Sequence, residues 1–148
     1  MRIIINTLYL LAVLLISPKI IYRMIRQNRY RAGWSERLGR ISRFTDKPCI
    51  WIHAVSVGEV NATRLLIAEL AKLPADYEIV ISATTDTGYA RAKAIYGESL
   101  KVFYFPFDLS WIMKRAFDNI KPMNCLSMEL EVWPNMSLLA EKRNVPLV

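Results

Sequence analysis

A strand that breaks into a helix at a tight polar turn constrains this chain more than any other feature. The segment Trp51-Ile-His-Ala-Val-Ser-Val-Gly-Glu-Val60 opens as an apolar run suited to a buried strand, turns at Ser-Val-Gly-Glu, and passes directly into helical periodicity. The pattern then repeats. Strands are expected over about 49–55, 78–83, 101–105 and 123–128, with helices over about 60–73, 87–96, 109–119 and 135–143. Leu65, Leu66, Ala68, Leu70 and Leu73 give the first of these helices its apolar face, and Pro74 stops it; Gly97 stops the next. A last strand begins at Val145. Alternation of this kind predicts an α/β domain: a Rossmann-like parallel sheet with right-handed crossovers and helices on both faces. No repeat at solenoid spacing and no low-complexity tract interrupts it.

Charge divides the chain where the periodicity does. Residues 1–43 hold Arg2, Lys19, Arg23, Arg26, Arg29, Arg31, Arg37, Arg40 and Arg43 against the single acid Glu36, and the rest is close to neutral although the whole chain carries +7. A nucleic-acid-binding domain would spread its basicity over a folded face, so this distribution argues against one. It fits a segment lying against anionic lipid. Composition points the same way, with 53% hydrophobic residues and a mean hydropathy of +0.20. Cys49 and Cys125 fall inside apolar strand-like runs and read as free buried thiols. His53 is the only histidine, which argues against a histidine-based triad or zinc cluster in this chain, and no metal-ligand spacing is present.

From Ile3 to Pro18 there is no charge. Those residues span about 24 Å as a helix, short of the roughly 30 Å hydrocarbon core. Snorkelling by Lys19 and continuation through Tyr22 would make up the difference. The expected organisation is a membrane-anchor helix over 1–22, a basic juxtamembrane segment over 23–47 and the α/β domain over 48–148. Cations crowd the C-terminal flank, which places the globular part on the cytoplasmic side. A cleaved signal peptide would need small residues after the apolar run, where Ser17-Pro-Lys-Ile-Ile stands instead. An interfacial helix lying in the membrane surface is the other option. The arginines between residues 22 and 43 are either a solvated linker or a collar that meets phosphorylated lipid, with Arg31 and Arg37 as candidate phosphate ligands. The chain ends at Val148, inside an expected strand; a domain boundary is expected in a polar, flexible segment, so the sequence reads as interrupted.

Ligands of α/β sheets bind at the carboxyl edge, and two acidic segments reach it. Glu59 would occupy the first turn of a helix, where it either complements the dipole or takes a proton from a substrate hydroxyl. Ser56 and Gly58 form the turn beside it. The second segment is Met128-Glu-Leu-Glu-Val-Trp-Pro-Asn135. Glu129 and Glu131 share a face if the strand continues through them, and diverge if a turn intervenes. One of them caps the following helix together with Asn135, or they stabilise positive charge that develops at a sugar carbon. Thr84, Thr85, Thr87 and Gly88 form a hydroxyl-rich loop, read either as an N-cap or as a phosphate or sugar site. Phe105-Pro-Phe-Asp108 reads as a strand exit and helix cap, and Trp133-Pro134 as a packing anchor and helix start.

HAVSVGEV and MELEVWPN, together with Arg31-Ala-Gly-Trp-Ser-Glu-Arg-Leu-Gly39, Thr84-Thr-Asp-Thr-Gly88 and Phe105-Pro-Phe-Asp108, resemble in content and order the signatures of the Kdo (3-deoxy-D-manno-octulosonic acid) transferases of lipopolysaccharide synthesis. The resemblance implies the acceptor-binding half of a GT-B glycosyltransferase at the inner membrane. It implies CMP-Kdo as donor, a lipid A precursor as acceptor, transfer with inversion and no tightly bound metal or other cofactor. Glu59 matches the family's general base, and Glu129 the carboxylate that stabilises the transition state. Leu130 stands where the family usually has threonine. Family members have two Rossmann-like halves, and this chain matches one. It is therefore expected to be inactive without the second half, as a gene fragment or as one part of a split enzyme. A non-catalytic, membrane-tethered module that binds anionic lipid through the arginines and the Thr84–Gly88 loop is the alternative.

Overall fold

The computed structural model describes residues 2–27, 32–43, 45–74, 76–129 and 132–148. Six helices and four strands are present among them: α1 (Arg2–Gln27), α2 (Trp34–Arg37), β1 (Cys49–Ala54), α3 (Val57–Leu70), β2 (Glu78–Ala83), α4 (Asp86–Tyr96), β3 (Lys101–Tyr104), α5 (Ser110–Ile120), β4 (Pro122–Ser127) and α6 (Pro134–Lys142). The strands form one parallel sheet in the order β3-β2-β1-β4. Leu147 adds an isolated parallel bridge to Cys125 beyond β4. The expected α/β architecture is therefore present.

Every residue of β1 is buried, and its alternation divides the core. Cys49 and Trp51 face a cluster with Phe103, Met113, Phe117 and Met136, which brings in α5 and α6. Ile50, Ile52 and Ala54 face the opposite cluster with Val60, Ile67, Ala92 and Tyr96, which brings in α3 and α4. Period-two alternation thus puts helices on both faces of the sheet. Trp51 is fully buried and meets Phe103, Phe105 and Phe117 at ring-centroid separations of 5.6–5.9 Å; truncating it to alanine is expected to cost about 3–5 kcal/mol.

From β1 the chain winds outward through β2 to β3, then returns to the far side of β1 as β4. The direction of winding reverses between β1 and β4, and that reversal opens a crevice at their carboxyl ends.

The N-terminal third departs from expectation in two respects. Helix α1 runs on to Gln27 with Pro18 inside it. Proline has no N–H to donate to the Leu14 carbonyl, and the Ser17 hydroxyl takes that carbonyl instead at 2.8 Å. Among the described residues no helix is long and apolar enough to cross a membrane. The basic stretch also folds more than a linker would. Arg43 forms a buried ion pair with Glu78 at 3.0 Å and donates to the Ile120 carbonyl at 3.0 Å. Helix α2 is short, and Gly33 before it has φ +75°, with Tyr104 so near that a Cβ there would clash. Only glycine fits that approach.

Candidate functional site

The first turn of α3 begins earlier than periodicity suggested, because Glu59 reaches back to its own N-terminus. Its carboxylate accepts from Val55 N at 2.7 Å, Ser56 N at 3.0 Å and Ser56 Oγ at 2.7 Å. This is the reciprocal arm of a capping box, and it makes Val57 the first helical residue. Glu59 is 8% exposed. Three of the roughly four acceptor positions of its carboxylate are filled from within the turn. Gly58 lies in the same turn in helical conformation, and a Cβ there would meet only Ser56 Oγ, at 3.9 Å. Its surface is open to a ligand.

Next to this turn lies the β2–α4 loop. Thr85 is the N-cap of α4 and accepts from Gly88 N at 3.0 Å. Thr87 is exposed, with its hydroxyl 3.4 Å from that of Thr85. Arg37 donates to the Thr84 carbonyl at 3.3 Å, pairs with Asp86 at 3.5 Å and lies 4.2 Å from the Tyr104 ring centroid. It is 6% exposed, so its guanidinium is engaged inside the fold. Glu36 accepts from Tyr104 N at 2.8 Å. Helix α2 therefore braces the ends of β2 and β3 from below the loop.

Across the crevice, β4 ends at Ser127 and the Ser127 hydroxyl bonds the Glu129 carbonyl at 3.0 Å. The Glu129 side chain is exposed. Arg31 and Glu131 lie outside the described residues. Met128 N donates to the His53 carbonyl at 3.0 Å, which carries β1–β4 pairing up to the acidic segment. Asn135 is in the first turn of α6, and that turn is capped by Asp108, which accepts from Asn135 N at 2.9 Å and Met136 N at 2.8 Å. The Phe105–Asp108 exit thus caps α6, not the helix that follows it. Nothing local in the sequence signals a cap taken from 27 positions away.

Two further side chains escaped sequence reasoning. Ser82 Oγ lies 2.8 Å from Trp51 Nε1 and 3.0 Å from His53 Nδ1. Indole N–H only donates, so the Ser82 hydroxyl oxygen accepts from Trp51 and shares a second hydrogen bond with His53 Nδ1. His53 stacks on Phe105 at 3.9 Å and meets Trp133 edge-on at 5.9 Å. Burial pushes the pKa of His53 down to about 4. The alternation of β1 would have shown that His53 faces the core, but not that it meets Trp133.

The carboxyl edge therefore gathers Ser56, Gly58 and Glu59 from the β1 end, Thr84–Gly88 from the β2 end, and Glu129 and Asn135 from the segment after β4. A family model described as 3-deoxy-D-manno-octulosonic-acid transferase (kdotransferase) matches residues 32–148. The chain is 36% identical over 126 residues to the 3-deoxy-D-manno-octulosonic acid transferase of Haemophilus influenzae, covering 84% of this chain and 30% of that protein. It is 31% identical over 152 residues to the transferase of that name from Bordetella pertussis, covering 94% and 35%. A bifunctional glycosyltransferase/methyltransferase of Fusobacterium nucleatum is 31% identical over 131 residues, with 86% of this chain and 20% of that protein covered. The chain spans about a third or less of the length of these curated relatives. With the motifs of the crevice rim inside the matched region, the chain belongs to the 3-deoxy-D-manno-octulosonic acid (Kdo) transferase family.

Proposed function

We propose that these residues form the acceptor-binding part of a GT-B glycosyltransferase that transfers Kdo from CMP-Kdo to a lipid A precursor, with inversion, at the cytoplasmic face of the inner membrane. The observation that carries this reading is the position of Glu59, at the sheet's switch point inside a region matched by the family. In this reading the acceptor hydroxyl approaches over Gly58, where backbone is open. Glu59 takes its proton while the hydroxyl oxygen bonds the anomeric carbon. The bond from that carbon to the CMP phosphate breaks, and its electron pair leaves with CMP. Glu129 faces the positive charge that develops on the sugar, a role that contributes several kcal/mol when preorganised. Thr84, Thr85, Thr87 and Asn135 offer hydroxyl and amide partners to the substrates, Glu131 and Arg31 add charge, and Arg37 acts through the loop it braces. In this reading the donor site lies in a second half, and the 148 residues alone are expected to transfer nothing.

The three internal donors on Glu59 favour a second reading, a non-catalytic module that binds anionic lipid. A transfer assay with CMP-Kdo and a lipid A precursor in detergent separates the two. It is run on the chain alone and with a separately expressed donor half. Activity only in the mixture, lost in Glu59→Gln while acceptor affinity persists, supports the enzyme. Indifference to Glu59→Gln, or no activity with a folded donor half, supports the module.

A further inference from the structure

Adjoining the Asn135 end of the crevice rim, a groove of about 350 Å³ runs between α5 and α6, lined by Ser110, Trp111, Lys114, Asn135, Lys142 and Arg143 among others. Its charge is one-sided. Asp118 pairs with Lys114 at 2.8 Å and with Arg143 at 2.6 Å, and Lys142 forms no ion pair among the described residues. Asn135 is 2% exposed and its Oδ1 is buried without a partner among the described residues. The indole of Trp111 is half exposed.

Helix α1 adjoins this groove. Asn6 donates to Ser110 Oγ at 2.7 Å and accepts from Ser110 N at 3.2 Å and from Asn135 Nδ2 at 3.3 Å. With Asn6 turned toward the groove, Ile4, Leu8, Leu11 and Leu15 form an outward apolar stripe at helical spacing, 52–81% exposed.

We propose that the α5–α6 groove holds the phosphate headgroup of an anionic membrane lipid, with the α1 stripe lying in the adjoining acyl layer. The proposal rests on the membrane association put forward above and adds a site to it. Lysine and arginine side chains donate charge-assisted hydrogen bonds to phosphate oxygens. A half-exposed tryptophan suits the boundary between headgroup and acyl chain. A headgroup hydroxyl supplies the donor that Asn135 Oδ1 lacks. An apolar stripe beside a cationic groove matches an amphiphile, which a soluble anion would satisfy only in part.

The test is co-sedimentation of the 148-residue chain with vesicles of phosphatidylcholine alone, and of phosphatidylcholine and phosphatidylglycerol in equal parts. Preference for the second is expected, and Lys142→Glu should weaken it roughly thirtyfold, since each charge near an anionic surface contributes about one kcal/mol and reversal changes two. Lys142 is exposed, so the variant should fold. Lys93→Glu, on α4 across the sheet, makes the same change in net charge and should alter partition little. Equal losses in the two variants would overturn the proposal in favour of diffuse attraction. Glycerophosphate that binds the groove as tightly as vesicles do would also overturn it, making the occupant a soluble phosphate. Partition needs no sugar donor. Binding without complemented transfer would therefore sink the enzyme reading alone, and transfer without the Lys142-dependent preference would sink the groove alone.

Discussion

The Thr85 hydroxyl donates to the Val55 carbonyl across 2.9 Å, and the Thr85 amide reaches the same oxygen at 3.2 Å. The turns after two neighbouring strands are thereby tied to each other before α3 and α4 begin. Gly88 lies in the contact: a Cβ there would sit 2.9 Å from the Val55 carbonyl and 2.9 Å from Thr85 Oγ. Backbone cannot yield cheaply, so Gly88→Ala is expected to cost about 1–3 kcal/mol in urea unfolding, with an unchanged denaturant slope.

Gly58→Ala should behave in the opposite way. The position is exposed and helical with room for a methyl group, and alanine is favoured over glycine in a helix by up to about 1 kcal/mol. Thermal unfolding at or above the wild-type temperature is expected. If a substrate hydroxyl passes close over this backbone, complemented transfer falls in the same variant. Unchanged transfer would place the acceptor elsewhere.

Glu59→Gln is less conservative than its shape suggests. The carboxylate receives three donors, and an amide must present its NH₂ to at least one of them. A loss of about 1–3 kcal/mol in stability is expected from the donor left facing a donor. A general base contributes about a hundredfold or more to rate, and a fall in turnover of that size must be read at a temperature where the variant is folded. Glu129→Gln changes an exposed side chain and should lower turnover with stability unchanged. A stability loss there would point to contacts made by the segment after Glu129.

The strands and helices were legible because period-two and 3.6-residue alternation are local, and the parallel sheet followed from their alternation; the order β3-β2-β1-β4 did not. The N-cap at Thr85 was legible for the same reason. Three features were not. The reach-back of Glu59 competes with catalysis for the same carboxylate, and sequence pattern does not rank the two. The burial of Arg37 depends on Tyr104 and Asp86, far away in the chain. The capping of α6 by Asp108 depends on two strand exits meeting at the sheet edge. The first is a local contact and the other two are tertiary, and all three join polar groups, to which hydrophobic periodicity is blind.

His53 gives the fold a dependence on pH. It is buried and neutral, with its pKa lowered to about 4 by desolvation, against about 6.5 in an unfolded chain. Between those values the unfolded state binds more protons, so stability is level above pH 6.5 and falls as pH drops toward 4, by roughly 3 kcal/mol in all. His53→Phe loses the Ser82 partner and should lower the plateau. It should also flatten this part of the profile, and an unflattened slope would assign the acid sensitivity to the carboxylates instead.

Asp108 joins α1 to α6, and the two contacts can be separated. Oδ1 accepts from Met136 N at 2.8 Å, while Oδ2 accepts from Asn135 N at 2.9 Å and from the Tyr9 hydroxyl at 3.2 Å. Tyr9→Phe removes one hydrogen bond at the edge of this arrangement and leaves the cap intact, so a loss of about 1 kcal/mol is expected. Amide exchange should then quicken in α1 and not in α6. Asp108→Ala removes the cap and leaves both amides of the first turn of α6 without their acceptor. About 2 kcal/mol or more should be lost, with faster exchange in both helices. Faster exchange of α6 in Tyr9→Phe would mean that α1 itself supports the capped turn, which would couple docking of α1 to the segment that carries Glu129.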